Sequence, residues 1–74
     1  MNRDAVFAIV SEVLYLEPGV LKGDERLKDL DGWDSLAVVS FMSGMDEKLG
    51  LMIEPEELAR CVTVNDLTNL AASA

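Results

Sequence analysis

The sequence contains no histidine, one cysteine and only six lysines and arginines among 74 residues. Without histidine, the chain lacks the residue that most often acts as a general base or metal ligand. This absence excludes a self-contained histidine hydrolase or zinc enzyme, and we expect neither catalytic residues nor a metal site. The single cysteine, Cys61, cannot form an internal disulfide, so nothing indicates an oxidising compartment.

Acidic residues dominate the charge of the chain. Fourteen aspartates and glutamates give a formal net charge of −8. Nucleic-acid phosphates and anionic membrane surfaces repel such a chain, so we expect neither as a partner. Basic protein surfaces should attract it instead. No signal peptide or membrane span is evident in the sequence, and we expect a monomer in the cytoplasm.

Hydrophobic spacing predicts an all-α four-helix bundle, with three longer helices and one short helix, formed by residues 1–74 as a single domain. The predicted helices are residues 4–16, residues 35–49, a short helix from Pro55 to about Cys61, and a last helix after the N-cap Thr63. Pro18-Gly19 and Gly50 follow the first and second helices as stop signals.

Apolar residues at helical spacing define the expected core. The inner faces are Val6, Ile9, Val10, Val13 and Leu14 in the first helix, Val38, Phe41, Met42, Met45 and Leu49 in the second, and Val64, Leu67, Leu70 and Ala71 in the last. Core filling is also the preferred role of Met52, with an adaptable pocket as the alternative. The long connection over residues 17–34 is expected to contact the core through Val20, Leu21, Leu27 and Leu30. Connections of this length are often functional.

The segment Asp29-Leu30-Asp31-Gly32-Trp33-Asp34-Ser35-Leu36 has three interpretations. Asp34 or Ser35 could simply cap the second helix. A calcium loop fits poorly, because from Asp29 the position of the turn glycine falls on Asp34. In the third interpretation, Ser35 is an exposed hydroxyl that receives a phosphate-containing group at a helix N-terminus. Since the chain lacks a base to activate Ser35, this requires an external enzyme.

Gly32-Trp33-Asp34-Ser35-Leu36 resembles the attachment motif of acyl carrier proteins. The order of elements is similar as well: an apolar first helix, a long loop, a second helix that begins at the motif, and a short acidic helix before the last one. The resemblance covers nearly the whole chain. It extends to Leu49-Gly50-Leu51-Met52-Ile53 and to the Val62-Thr63-Val64 entry of the last helix.

This resemblance implies a chemistry for Ser35. A phosphopantetheinyl transferase, using coenzyme A and Mg²⁺, would join 4′-phosphopantetheine to the serine hydroxyl. The thiol of that arm, and not Cys61, would hold acyl groups as thioesters. The partners would be this transferase and the acyl-loading and acyl-processing enzymes with basic docking surfaces.

The residues predicted to recognise partners surround the motif. By the resemblance, Asp34 is the acid presented to the transferase, and Leu36 docks into partner enzymes. Val39 lies off the core stripe with Leu36, and Glu47 comes late on the same helix. Two acidic blocks are expected to flank the second helix: residues 24–34, with five acids and two bases, and residues 54–57, with three acids that include Glu56 and Glu57.

One departure from the fatty-acid-synthesis pattern affects the predicted pathway. The second helix has few acids on its exposed side, and Gly32-Trp33 is more similar to carriers of specialised fatty-acid, polyketide or related pathways. An aminoacyl or peptidyl carrier, including a D-alanyl carrier, remains open as an alternative. From a different class, so does an unmodified acidic interaction module in which Ser35 only caps a helix.

Overall fold

The structure, a computed structural model, describes residues 2–73. This range contains four α-helices, α1 (Asn2–Leu14), α2 (Ser35–Leu49), α3 (Pro55–Ala59) and α4 (Val64–Ser73), with a 3₁₀ helix (Leu27–Asp29) between α1 and α2. The predicted all-α bundle of three longer helices and one short helix is confirmed. No strand occurs between residues 2 and 73, although an isolated antiparallel bridge joins Arg26 and Thr63.

The core forms where α1 packs against α2 and α4. The largest fully buried side chains are Val6 and Val10 of α1, Phe41 and Met45 of α2, and Val64 and Leu67 of α4. All six belong to the stripes predicted from the sequence. Each stabilises the fold by about 1.5–3 kcal/mol through burial alone. Gly44 keeps α1 and α2 close, since a Cβ there would lie 2.9 Å from Ile9 Cγ2.

Helix α1 ends two residues earlier than predicted, and Pro18-Gly19 does not end it. Tyr15 adopts a left-handed conformation with φ of 58°. The Leu16 N–H donates to the Ser11 carbonyl (2.8 Å) and the Tyr15 N–H to the Glu12 carbonyl (3.4 Å). This pair of bonds is a Schellman ending, which usually has glycine at the left-handed position. The end of α1 was missed because tyrosine gives no sequence signal for this conformation.

The long connection packs onto the junction between α3 and α4. Leu21 and Leu27 are buried, as predicted. The Leu27 N–H donates to the Val62 carbonyl (2.8 Å), and the Asn65 N–H donates to the Gly23 carbonyl (2.8 Å). Gly23 is itself buried. These bonds hold the segment before the motif against the start of α4.

Val20 and Met52 are not in the core, contrary to prediction. Their side chains are 49% and 84% exposed. Each lies in an irregular segment beside a buried residue, Leu21 for Val20 and Ile53 for Met52. Neighbouring side chains in extended backbone point to opposite sides, so only one of each pair can face the core. Leu30 is half-buried against the core cluster.

Helices α2 and α3 have well-defined ends. Gly50 takes a left-handed conformation (φ 66°), and its N–H donates to the Asp46 carbonyl (2.9 Å). At the start of helix α3, the Glu57 carboxylate accepts a hydrogen bond from the Glu54 N–H (3.1 Å), as in a capping box, and the Glu54 carbonyl accepts one from the Glu57 N–H (3.0 Å). It ends at Ala59, two residues before the predicted end near Cys61.

Candidate functional site around Ser35

Asp34 caps α2, and Ser35 is the first residue inside the helix. The Asp34 carboxylate accepts a hydrogen bond from the Ala37 N–H (2.9 Å), and the Asp34 carbonyl accepts the first helical bond from the Val38 N–H (2.9 Å). Asp34 has extended backbone angles, as an N-cap residue requires. The capping role therefore belongs to Asp34, which leaves the Ser35 hydroxyl free for another use.

Ser35 lies at an exposed corner of the molecule. Within residues 2–73 its hydroxyl has no hydrogen-bond partner. The first-turn N–H groups of a helix have no intrahelical acceptor and carry the positive end of the dipole, an environment that favours a phosphate attached at this corner.

The residues before Ser35 fix its position. The Asp34 N–H donates to the Gly32 carbonyl (2.9 Å), and Gly32 has φ of 90°, a conformation that glycine adopts without strain. Trp33 packs its ring edge-on against Phe41, with centroids 5.8 Å apart. This contact gives Trp33 a packing role. A buried ring in α2 thus anchors the loop that carries the site.

Leu36 and Val39 are the exposed apolar residues of α2, with exposed fractions of 75% and 61%. They are separated by three positions and so lie on the same face of the helix. Glu47 is also exposed on α2, two turns beyond Ser40. The structure therefore brings Leu36 and Val39 together next to Ser35.

The predicted acidic residues differ in how far their carboxylates are exposed and free of hydrogen bonds within the molecule. Glu56 is exposed on α3, whereas Glu57 is half-buried and accepts a hydrogen bond from the Glu54 N–H (3.1 Å). Glu25 accepts hydrogen bonds from the Lys22 and Gly23 N–H groups (2.7 and 2.8 Å). Desolvation acts to raise the pKa of Glu25, but these hydrogen bonds outweigh it and the pKa lies below its ordinary value. Glu25 thus holds the loop together.

An apolar cleft of about 470 Å³ lies between the long connection, α2 and α3. Trp33, Val38 and Leu58 line it together with Cys61. Burial raises the pKa of the Cys61 thiol, and its Sγ contacts the Glu57 carbonyl at 3.5 Å. The thiolate is the nucleophilic form of cysteine, so this shift lowers the reactivity of Cys61.

Comparison with known proteins identifies the family. The family described as "Phosphopantetheine attachment site" matches residues 4–71. The chain belongs to this family. It is 36% identical over 62 residues to the acyl carrier protein MbtL of Mycolicibacterium paratuberculosis, covering 84% of this chain and 70% of that one. It is 33% identical over 70 residues to the acyl carrier protein MbtL of a Mycobacterium species, covering 89% of this chain and 79% of the relative.

Membership confirms the acyl-carrier resemblance and implies a covalently bound 4′-phosphopantetheine for this carrier chain. The site fits such a group, because it offers an exposed serine hydroxyl that helix capping does not consume. No α-helix within residues 2–73 is both long and apolar enough to cross a membrane. Over the same range, no cluster of three or more acidic or cysteine side chains is arranged to hold a metal ion.

Sequence reasoning missed one residue at this corner. Tyr15, at the end of α1, lines a depression of about 240 Å³ together with Asp34 and Leu36. Its side chain is 95% exposed. Tyr15 lies outside the motif, and the periodicity of α1 gave no reason to select it.

Proposed function

We propose that Ser35 is the attachment residue and that the protein is a non-enzymatic acyl carrier. The observation that supports this most directly is the division of roles at the start of α2. Asp34 supplies the cap, so the exposed Ser35 hydroxyl contributes nothing to the helix end. An exposed hydroxyl at a helix N-terminus, in a chain without histidine, is suited to be a substrate of another enzyme.

In the proposed attachment, the Ser35 oxygen displaces adenosine 3′,5′-bisphosphate from coenzyme A. One phosphorus–oxygen bond forms at the serine and one breaks in the pyrophosphate, while the transferase accepts the hydroxyl proton. Asp34 positions Ser35 by capping α2. The bound group supplies the thiol on which acyl thioesters are carried, and a flexible tether keeps a carried group at high effective concentration near each partner enzyme.

Partner selection is proposed to depend on the surface around Ser35. Leu36 and Val39 present apolar contacts, and Asp34, Glu47, Glu56 and Glu57 attract basic side chains. For Glu57, one carboxylate oxygen is already engaged in the capping box. The serines at positions 40 and 43 leave much of the exposed face of α2 uncharged. This neutral face favours a specialised biosynthetic pathway. We further propose that the carrier is monomeric and cytoplasmic, as expected from the sequence.

Intact-mass spectrometry tests the attachment. The protein is incubated with coenzyme A, Mg²⁺ and a broad-specificity phosphopantetheinyl transferase, and we expect a gain of one phosphopantetheine per chain. Ser35→Ala should not gain this mass. Ser43→Ala is the matched control, since Ser43 is also exposed on α2, and at completion it should have gained the same mass as the wild type. An unmodified wild type with several transferases, or a modified Ser35→Ala protein, contradicts the proposal.

A further inference from the structure

The end of α1 presents an unusual residue. Tyr15 holds the left-handed position of the Schellman ending, which Gly50 holds at the end of α2. A left-handed backbone costs a non-glycine residue about 1–2 kcal/mol. The tyrosine side chain does not offset this by packing, because it is 95% exposed. Its presence is therefore not explained by the stability of the fold.

Tyr15 stands between two depressions on the surface where α1 meets α2. One contains Asp34, Leu36 and Ser40, and the other contains Ser40, Ser43 and Glu47. Tyr15 and Ser40 line both, so the depressions form one continuous surface that begins beside Ser35. We call this surface the α1–α2 seam; it comprises Glu12, Tyr15, Leu36, Ser40, Glu47 and Lys48.

The charges of the seam point to a basic partner. Its one cation, Lys48, is held by Glu12 with Nζ and Oε2 2.6 Å apart. Lys48 also interacts electrostatically with Glu47, so one lysine faces two glutamates, and Asp34 at the edge of the seam adds a third acid. The seam therefore combines two exposed apolar side chains, Tyr15 and Leu36, with a net negative charge. A partner that covers it must bring an apolar contact surrounded by basic residues.

The position of Ser35 indicates which partner covers the seam. Leu36 is the next residue in the chain, so an enzyme whose active site reaches the Ser35 oxygen covers the adjoining end of the seam. A specific interface buries roughly 800 Å² on each partner. That is about a sixth of the 4851 Å² accessible surface of this molecule. A contact of this size around Ser35 has room to include the adjoining end of α1 as well as α2.

On this basis, we infer that the phosphopantetheinyl transferase docks on the α1–α2 seam and that Tyr15 is a principal apolar contact. The inference rests on the proposed modification of Ser35. Tyrosine is well suited to this role, because it supplies a large contact area while fixing only two side-chain torsions. The seam thus adds the end of α1 to the docking surface of α2.

Transfer kinetics with two substitutions of the same residue provide the test. Tyr15→Gly removes the side chain and keeps a residue that favours the left-handed backbone, so the fold and melting temperature should be maintained. We expect kcat/KM for modification to fall about tenfold, the effect of losing a central aromatic contact. Tyr15→Phe retains the ring and should stay within about twofold of the wild type.

Met52→Ala is the matched control for loss of an exposed apolar side chain. Met52 is 84% exposed and follows the far end of α2, about 20 Å from Ser35 along a helix of this length. It should be modified at the wild-type rate. A Met52→Ala protein that is slowed as much as Tyr15→Gly overturns the inference.

A binding measurement tests the docking surface without the modification reaction. Ser35→Ala protein labelled with ¹⁵N is titrated with the transferase, and amide shifts should change around Tyr15, Leu36 and Ser40. Adding Tyr15→Gly to this background should weaken binding about tenfold. Shift changes that leave the end of α1 unaffected overturn the inference.

The remaining outcomes separate this inference from the proposed function. If the wild type is modified, Ser35→Ala is not, and Tyr15→Gly reacts at the wild-type rate, only the docking inference is overturned. If the wild type is never modified, both are overturned. If analytical ultracentrifugation shows a dimer that Tyr15→Gly dissociates, with unchanged transfer kinetics, the seam is a self-association surface and the inference is wrong.

Discussion

At the scale of single residues, Asp34 has one observed role, as the cap of α2, and one proposed role, in attracting the transferase. Its carboxylate accepts the Ala37 N–H at 2.9 Å, and its charge lies one residue from the proposed attachment oxygen. Asparagine is as good an N-cap as aspartate, whereas alanine lacks the acceptor. The two substitutions therefore distinguish helix capping from attraction of a basic transferase.

We predict that Asp34→Ala lowers the unfolding free energy by about 1 kcal/mol, whereas Asp34→Asn changes it by only a few tenths. Both should slow Ser35 modification, by about fivefold for Asp34→Asn through the lost charge. Urea denaturation measures the first effect and intact-mass kinetics the second. If Asp34→Asn is modified at the wild-type rate while Asp34→Ala is slow, Asp34 acts only as a cap.

At the scale of elements, the long connection acts as a structured arm. Glu25 closes its turn by accepting the Lys22 and Gly23 N–H groups, and Gly23 contacts the start of α4 through Asn65. Since this arm precedes Trp33 and Asp34, its attachment to α4 helps to hold the entry to α2 in place. Two glycines in the connection allow this to be measured.

Gly19 and Gly23 both have positive φ, 86° and 115°, but their surroundings differ. A Cβ on Gly19 meets nothing within 4 Å, whereas a Cβ on Gly23 would lie 2.3 Å from Asn65 Oδ1. We predict that Gly19→Ala costs about 1 kcal/mol from backbone strain alone. Gly23→Ala should cost about 2–4 kcal/mol, because Asn65 must also move.

Chemical denaturation of both variants gives the comparison, with Gly19→Ala as the control for strain. The ¹⁵N spectrum of Gly23→Ala should also change at the start of α4, because the substitution distorts the hydrogen bond from the Asn65 N–H to the Gly23 carbonyl. Equal destabilisation by the two substitutions would show that the contact between the arm and α4 contributes little.

At the scale of the whole molecule, net charge governs encounters with partners. A chain of 74 residues with net charge −8 attracts basic surfaces over distances set by ionic screening. The Debye length falls from roughly 14 Å at 0.05 M salt to about 4 Å at 0.5 M. Attraction between separated molecules is therefore nearly lost at the higher concentration.

We predict that kcat/KM for Ser35 modification falls about tenfold between roughly 0.05 and 0.5 M KCl, with kcat much less affected. Added salt also screens repulsion within the acidic chain, so the melting temperature should rise over the same range. The rise in melting temperature serves as the control, because it would show that the reaction is not slower as a result of unfolding. A rate independent of salt would show that docking relies on apolar contacts alone.

Much of the architecture was predictable because its causes are local. The stripe that contains Phe41 and Met45 specifies one buried face of α2, and Gly50 supplies the left-handed end that this helix needs. Thr63 was correctly placed at the start of α4, where its hydroxyl accepts the Asp66 N–H at 3.3 Å. Ser35 was selected for a similarly local reason, since its neighbours in the motif lie beside it in the chain, and its role as the attachment residue is a proposal.

By itself, the sequence determined the number and order of the helices, their buried faces, the acidic charge and the motif around Ser35. Only the tertiary structure decided which irregular side chains face the core and which are exposed. Val20 and Met52 point outward, Glu25 is engaged within its loop, and Tyr15 stands exposed beside Leu36. The physical reason is that the regular period of a helix fixes which of its side chains share a face, so the buried face can be read from the sequence. Outside a helix, contacts with residues far along the chain set the direction of each side chain.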